Sequence, residues 1–237
     1  MIPFLDLNST YVELKNEIDT SIKRVLDSGI YILGPEVEAF EAEWANYCGS
    51  NYAVGVANGL DALVLGLRAL KVGPGDEVIV PSNTYIASWL AISAVGATPV
   101  PVEPNPTTYN INVKEIYKLI TPATKAIMPV HLYGQVCQME EISQLANEND
   151  LYVIEDCAEA LGSLWKGKRV GTFGEAATFS FFGNKTITTG EGGASLTNDK
   201  YLAKKMKMFR SHGIERVESK NKNVTSDSWI YDQKLLG

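Results

Sequence analysis

The stretch SFFGNKTITTGEGGA, residues 180–194, sets one amine, Lys185, among small, polar and glycine residues just after an apolar run. Such an amine can condense with a carbonyl, or it can simply solvate a surface turn. Its meaning depends on what folds beside it. Asp156 closes the apolar run LYVIED, Tyr85 follows EVIV in PSNTYIAS, and Gly59-Leu60 follows NYAVGVA. A carboxylate at the end of a buried strand wants a cationic partner. An aromatic face can lie over a planar ligand, or pack in the core. A helix opening on glycine offers free N–H groups to a phosphate, although Asn58 and Asp61 also read as plain caps. Glu159, three residues after Asp156, either faces the same cleft or solvates a loop, whereas strand alternation turns Glu155 to the opposite side. Ser180 lies within the strand before Lys185. His131, in PVHLYGQ, lines a cleft structurally or joins a hydrolytic dyad, for which no Gly-x-Ser-x-Gly elbow exists.

These residues need elements that bring them to one place. Leu14, Ile18, Ile22 and Val25 form one stripe of a helix that Gly29 can end, and Pro35 opens a second helix over 36–48. Then strands and helices alternate. NYAVGVA, EVIVPS, ATPVPVE, KAIMPVHL and LYVIED read as strands. GLDALVLGLRAL, TYIASWLAISAV, a segment near 112–120 and residues 138–149 read as helices. That rhythm predicts a three-layer α/β fold with a mostly parallel sheet, whose ligand edge is formed by the carboxyl ends of the strands. AATFSFF and GGASLT are two further strands separated only by the Lys185 loop. The helix DKYLAKKMKMFRSHG follows, then a polar loop-like segment at 215–228. Nothing at YDQKLLG marks a natural terminus, so a fragment of a longer protein is expected.

Composition narrows the class. A net charge of −7 argues against non-specific nucleic-acid binding, and only local cations remain for a phosphate ligand; Arg210 and Lys220 are candidates by position alone. Cys48, Cys137 and Cys157 show no Cys-x-x-Cys spacing, which disfavours a zinc site or disulfide framework and fits a reducing cytoplasm. No secretory signal opens the chain, and WLAISAVGATPVPV is too short and broken to span a bilayer. The glycine spacing fits neither a P-loop nor Gly-x-Gly-x-x-Gly.

A phosphorylated planar ligand with a cationic ring atom and an amine-accepting carbonyl would use all these groups, and pyridoxal 5'-phosphate has those properties. The order VANGLDAL, PSNTYIA, EDCAEALG and TFSFFGNKTITTGEGGA, with IPFLDL and YILGPEVEAFE ahead of it, resembles the DegT-type pyridoxal-phosphate-dependent nucleotide-sugar aminotransferases of the aspartate aminotransferase fold. The resemblance implies that residues 1–237 are the cofactor-binding large domain of a type I enzyme and that a small C-terminal domain lies outside this chain. It implies that Lys185 forms the Schiff base, that Asp156 partners the ring nitrogen and that Tyr85 stacks on the ring. Ser180 and the backbone of Gly59 and Leu60 would hold the phosphate, with no metal involved. Glu159 stands where many relatives carry Gln or His near the ring hydroxyl, and Leu60 where Thr is frequent. The implied reaction moves an amino group from L-glutamate to a keto group, at C3, of a nucleotide-linked deoxysugar, in a cytoplasmic homodimer with shared active sites. A 4-keto sugar substrate, a cofactor-binding regulator without turnover and a nucleotide-binding module with a surface lysine are the alternatives.

Overall fold

The computed structural model describes residues 4–215 and 232–233. The strands are β1 (Tyr52–Val56), β2 (Glu77–Pro81), β3 (Thr98–Val102), β4 (Thr124–Ile127), β5 (Tyr152–Asp156), β6 (Leu164–Trp165), β7 (Lys168–Arg169), β8 (Ala176–Ser180), β9 (Gly193–Thr197), β10 (Ile214–Glu215) and β11 (Asp232–Gln233). Among the described residues seven of them form one sheet, in the order β1-β9-β8-β5-β4-β2-β3. Every neighbouring pair is parallel except those of β9, which runs against both β1 and β8. The loop of Lys185 is too short for a parallel crossover, so the chain must turn back and β9 must be reversed.

The apolar runs make strands covered on both faces. Val78, Val80, Ala126, Met128 and Ile154 pack on one side, against α3 (Gly59–Ala69), α4 (Ile86–Ala94) and α7 (Lys200–Arg210). Ile79, Ile127 and Val153 turn to the other side, where α5 (Val113–Leu119) and α6 (Met139–Glu148) lie. On that same side α2 (Pro35–Cys48) packs Trp44 edge-on against Phe179 and Phe181. The expected three-layer α/β class is therefore present.

Three local readings change. KAIMPVHL is a strand only through Ile127; Pro129 has no N–H to continue the ladder, and the chain rejoins β5 at the single bridge Val130–Asp156. The β6–β7 hairpin was not anticipated. Its turn residues Lys166 and Gly167 both have positive φ, 48° and 83°, the requirement of a tight two-residue hairpin. The helix α1 (Leu7–Ser28) does end at Gly29, in the left-handed region, but its apolar stripe meets no core here: Leu14 and Ile22 are 41% and 53% exposed.

Arg210 is committed to the fold rather than to a ligand. It donates to Glu41 at 2.5 Å and to the Gly55 carbonyl at 2.8 Å, while Lys207 reaches the other Glu41 oxygen at 2.7 Å and Gly55 N–H donates to Glu41 at 3.0 Å. One carboxylate thus ties α2, β1 and α7 together. Lys220 and most of the 215–228 segment lie outside the described residues. Glu41→Ala should leave the half-buried Arg210 without its carboxylate partner and lower stability by about 2 kcal/mol, measured by urea unfolding, since hydrogen bonds to charged groups are worth roughly 1.5–3 kcal/mol.

Candidate active site

The carboxyl ends of β1, β8 and β5 lie on one edge of the sheet, with the start of β9 between β1 and β8, and each delivers part of the candidate site. β1 leads into Asn58, whose side chain caps α3 by accepting from Asp61 N–H at 2.8 Å. The capping reading of Asn58 is correct. The amides of Gly59 and Leu60, in the first turn, have no intrahelical acceptor and point out of the helix start. Ser180, half-buried, is the last residue of β8 and pairs with Gly193 of β9. Asp156 is the last residue of β5.

Two glycines let these ends approach. A Cβ on Gly193 would lie 2.3 Å from the Asn58 carbonyl oxygen, and a Cβ on Gly59 would lie 2.8 Å from Ser180 Cβ. The start of α3 is therefore seated directly on the β8–β9 edge, with the Ser180 hydroxyl 3.3 Å from where that Gly59 Cβ would be. A small anion there would meet two amides and a hydroxyl at a helix N-terminus.

Lys185 stands on a loop that is bonded within itself. Lys185 N–H donates to the Phe182 carbonyl at 2.9 Å, Phe181 and Gly192 pair at 2.9 Å, and Thr189 N–H returns to Phe181 at 3.0 Å. Thr188 and Thr189 hydroxyls bond the backbone of Phe181 and Glu191. The Lys185 side chain is mostly covered, 19% exposed, and its amine sits 3.7 Å from Glu159. A plain surface turn is not what the loop builds. Glu159 uses its other oxygen to accept from Tyr133 N–H at 3.0 Å, so it faces the cleft rather than solvent alone. Tyr133 holds a left-handed backbone, φ 57°, and exposes its ring.

The adjacent acids of β5 point opposite ways, as alternation requires. Glu155 accepts from His131 Nε2 at 3.2 Å and from the amides of Gly171, Phe173 and Gly174 at 2.7–3.0 Å. Burial pushes its pKa up, but these donors outweigh burial and hold it below the usual carboxylate range. Burial lowers the pKa of His131, and its bonds to Cys137, Cys157 and Glu155 outweigh burial and raise it; Cys137 N–H nonetheless donates to Nδ1 at 3.1 Å, so that nitrogen carries no proton and the ring donates from Nε2. His131 is fully buried and structural; it lines no cleft and forms no hydrolytic dyad. It clusters with Glu155 and Cys157, all three buried, with their polar atoms within 4.8 Å of one another.

Asp156 faces the α3–α4 side. Its Oδ1 accepts from Ala158 N–H at 3.1 Å and its Oδ2 from the Ser88 hydroxyl at 2.9 Å. Burial pushes its carboxyl above the usual range against those two donors, with Lys185 further favouring the charge. Tyr85 sits at the N-cap of α4 and is 76% exposed, which rules out the core reading of this ring. Reasoning from sequence missed Ser88, Thr84, Gly193 and Tyr133. Ser88 follows Tyr85 by three residues in the same first turn of α4, and the second glycine of Glu-Gly-Gly is the signal for Gly193.

The arrangement suits a phosphorylated cationic ring. A buried carboxyl raised by desolvation is satisfied by a neighbouring cation, and the glycine seat of α3 admits no Cβ while its helix start offers free amides to an anion. Fold and site together define an α/β protein of the aminotransferase class. Residues 12–235 match the DegT/DnrJ/EryC1/StrS aminotransferase family, and the chain belongs to that family of pyridoxal-phosphate-dependent sugar transaminases. It is 52% identical to a dTDP-3-amino-3,4,6-trideoxy-alpha-D-glucose transaminase of Streptomyces venezuelae, over 92% of this chain and 58% of the relative. It is 55% identical to a dTDP-3-amino-3,6-dideoxy-alpha-D-galactopyranose transaminase of Aneurinibacillus thermoaerophilus, over 95% and 63%. A relative named pleiotropic regulatory protein, from Geobacillus stearothermophilus, is 44% identical over 90% and 57%. The crystal structure of S. venezuelae DesV in complex with a ketimine intermediate superposes with a TM-score of 0.87 at 50% identity, covering 95% of this chain and 60% of that one. The chain thus spans about three fifths of the length of these relatives.

The Glu155 cluster has a definite pH signature. Because its folded pKa lies below the ordinary 4.5, its contribution to stability is complete above that value and is lost as pH falls through the lower folded one. Glu155→Gln should lower stability at pH 7, and thermal melts between pH 3 and 7 should show a shallower acid loss than in the parent.

Proposed function

We propose that this chain is the cofactor-binding large domain, residues 1–237, of an aminotransferase that acts on a nucleotide-linked keto sugar with L-glutamate as donor. The observation that carries the reading is the meeting of Lys185, Asp156, Ser180 and the Gly59–Leu60 amides at one sheet edge. When bound, pyridoxal 5'-phosphate supplies a carbonyl for an amine and a ring that accepts electrons. Gly59 and Leu60 N–H groups and the Ser180 hydroxyl would hold its phosphate, and Tyr85 would cover the ring. Asp156 keeps the ring nitrogen protonated by an ion pair in a dry setting. Lys185 Nζ is the amine that would hold the cofactor through its carbonyl and, when free, would serve as the acid–base group beside it. Glu159, 3.7 Å from that amine, would face the ring hydroxyl.

The two relatives named for 3-amino sugars support a C3 keto group, and a 4-keto sugar is the alternative outcome. The regulator-named relative supports the second reading, cofactor binding without turnover. We place the full-length protein in the cytoplasm as a homodimer with shared active sites. The bare apolar stripe of α1 supports burial of this surface by another body.

Borohydride reduction of the cofactor-loaded protein followed by peptide mapping should place a pyridoxyl group on Lys185, and Lys185→Arg should abolish turnover while the protein stays folded. Labelling of another lysine alone would refute the assignment. Asp156→Asn should lower the catalytic rate ~100-fold or more, as losses of preorganised charge do. Offering 3-keto and 4-keto nucleotide sugars with glutamate and measuring 2-oxoglutarate should show turnover of the 3-keto sugar. Turnover of the 4-keto sugar alone would overturn C3, and inertness to both would favour the regulator.

A further inference from the structure

We propose that Ser88, backed by Thr84, is a positioning residue that keeps the Asp156 carboxylate ionised and aimed at the ring nitrogen; this rests on the reading of Asp156 given above. Ser88 is 1% exposed on α4 and donates to Asp156 Oδ2 at 2.9 Å. Thr84 Oγ1 lies 2.9 Å from Ser88 Oγ. A hydroxyl has one proton, and a carboxylate can only accept, so the direction of the chain is fixed: Thr84 donates to Ser88, and Ser88 donates to Asp156. Ala158 N–H holds the other oxygen at 3.1 Å. Both oxygens are thereby oriented before any ligand arrives, and lone pairs remain for a ring N–H.

The placement also joins two functions in one helical turn. Ser88 N–H donates to the Tyr85 carbonyl at 3.2 Å, so the residue that grips Asp156 also fixes the turn that presents the Tyr85 ring. Asp156 needs such help because desolvation opposes its charge. The titratable groups bearing on it are Lys185 on the 181–192 loop, neutral His131 after β4, and Glu155 and Cys157 beside it in the chain. Among the described residues, the hydrogen-bond donors to its side chain are Ser88 and Ala158.

The test uses the full-length protein as parent, Ser88→Ala, Ser88→Thr, Thr84→Val and Asp156→Asn. In cofactor-free protein, carbon-13 NMR of labelled aspartate, with the Asp156 signal assigned by its loss in Asp156→Asn, follows the carboxyl titration. Ser88→Ala should shift that titration to higher pH, weaken cofactor binding by about tenfold or more, and move the acid limb of kcat/KM upward, since a hydrogen bond to a charge is lost. Thr84→Val should shift the titration in the same direction by less. Ser88→Thr, which keeps the hydroxyl, should stay near the parent. An Asp156 titration and a cofactor affinity unchanged in Ser88→Ala, with binding lost in Asp156→Asn, would overturn the role of Ser88 and leave the ring-nitrogen reading intact. Cofactor affinity in Asp156→Asn equal to the parent would sink that reading, and the proposal with it.

Discussion

Two adjacent carboxylates at the end of one buried strand are the constraint on which this structure turns. Glu155 and Asp156 are both removed from water, and strand alternation forbids them a common partner. Glu155 is answered entirely from within the protein, by the 171–174 loop and His131. Those bonds shape the chain between β7 and β8 and fix the height of β5 in the sheet. Asp156 is answered only by neutral donors, Ser88 and Ala158, and a buried carboxylate with neutral donors alone retains an appetite for a cation. One acid stabilises the fold; its neighbour is left for a ligand.

The second condition is that the strand ends be close enough to share that ligand. β9 runs backwards between β1 and β8, so its first residue, Gly193, lies opposite both Val56 and Ser180. Any side chain at Gly193 would strike the Asn58 carbonyl, and any at Gly59 would strike Ser180. The reversal and the two missing Cβ atoms seat the N-terminus of α3 against β8. The price of this approach is conformational freedom in the unfolded chain, which the packed edge must offset.

Much of this was legible in the sequence because it rests on short-range patterns. The strand–helix alternation, the turn that reverses β9, the Asn58 cap and the opposite facing of Glu155 and Asp156 all follow from spacing. What was not legible depends on tertiary contact. Ser88 is one serine among several until α4 is docked over β5. The β6–β7 hairpin is too short for periodicity and is set by the φ values of Lys166 and Gly167. Arg210 looked like a phosphate cation by position, but Glu41, far away in sequence, claims it. The roles at the cofactor came from resemblance, and no spacing rule alone would assign Tyr85 or Glu159.

Why the chain places a single amine at Lys185 follows from these contacts. An isolated lysine on a free turn would lose side-chain entropy on ordering and gain little from an exposed ion pair. Here the loop is ordered by its own backbone and by Thr188 and Thr189, independently of the lysine. The amine is therefore delivered without having to hold the loop together. Its nearest charged neighbour, Glu159, is itself anchored by Tyr133 N–H, so the 3.7 Å separation joins two groups whose positions are set elsewhere. An amine fixed by surroundings that do not need it is free to exchange partners, as the role proposed for Lys185, linking to a carbonyl and later releasing it, requires.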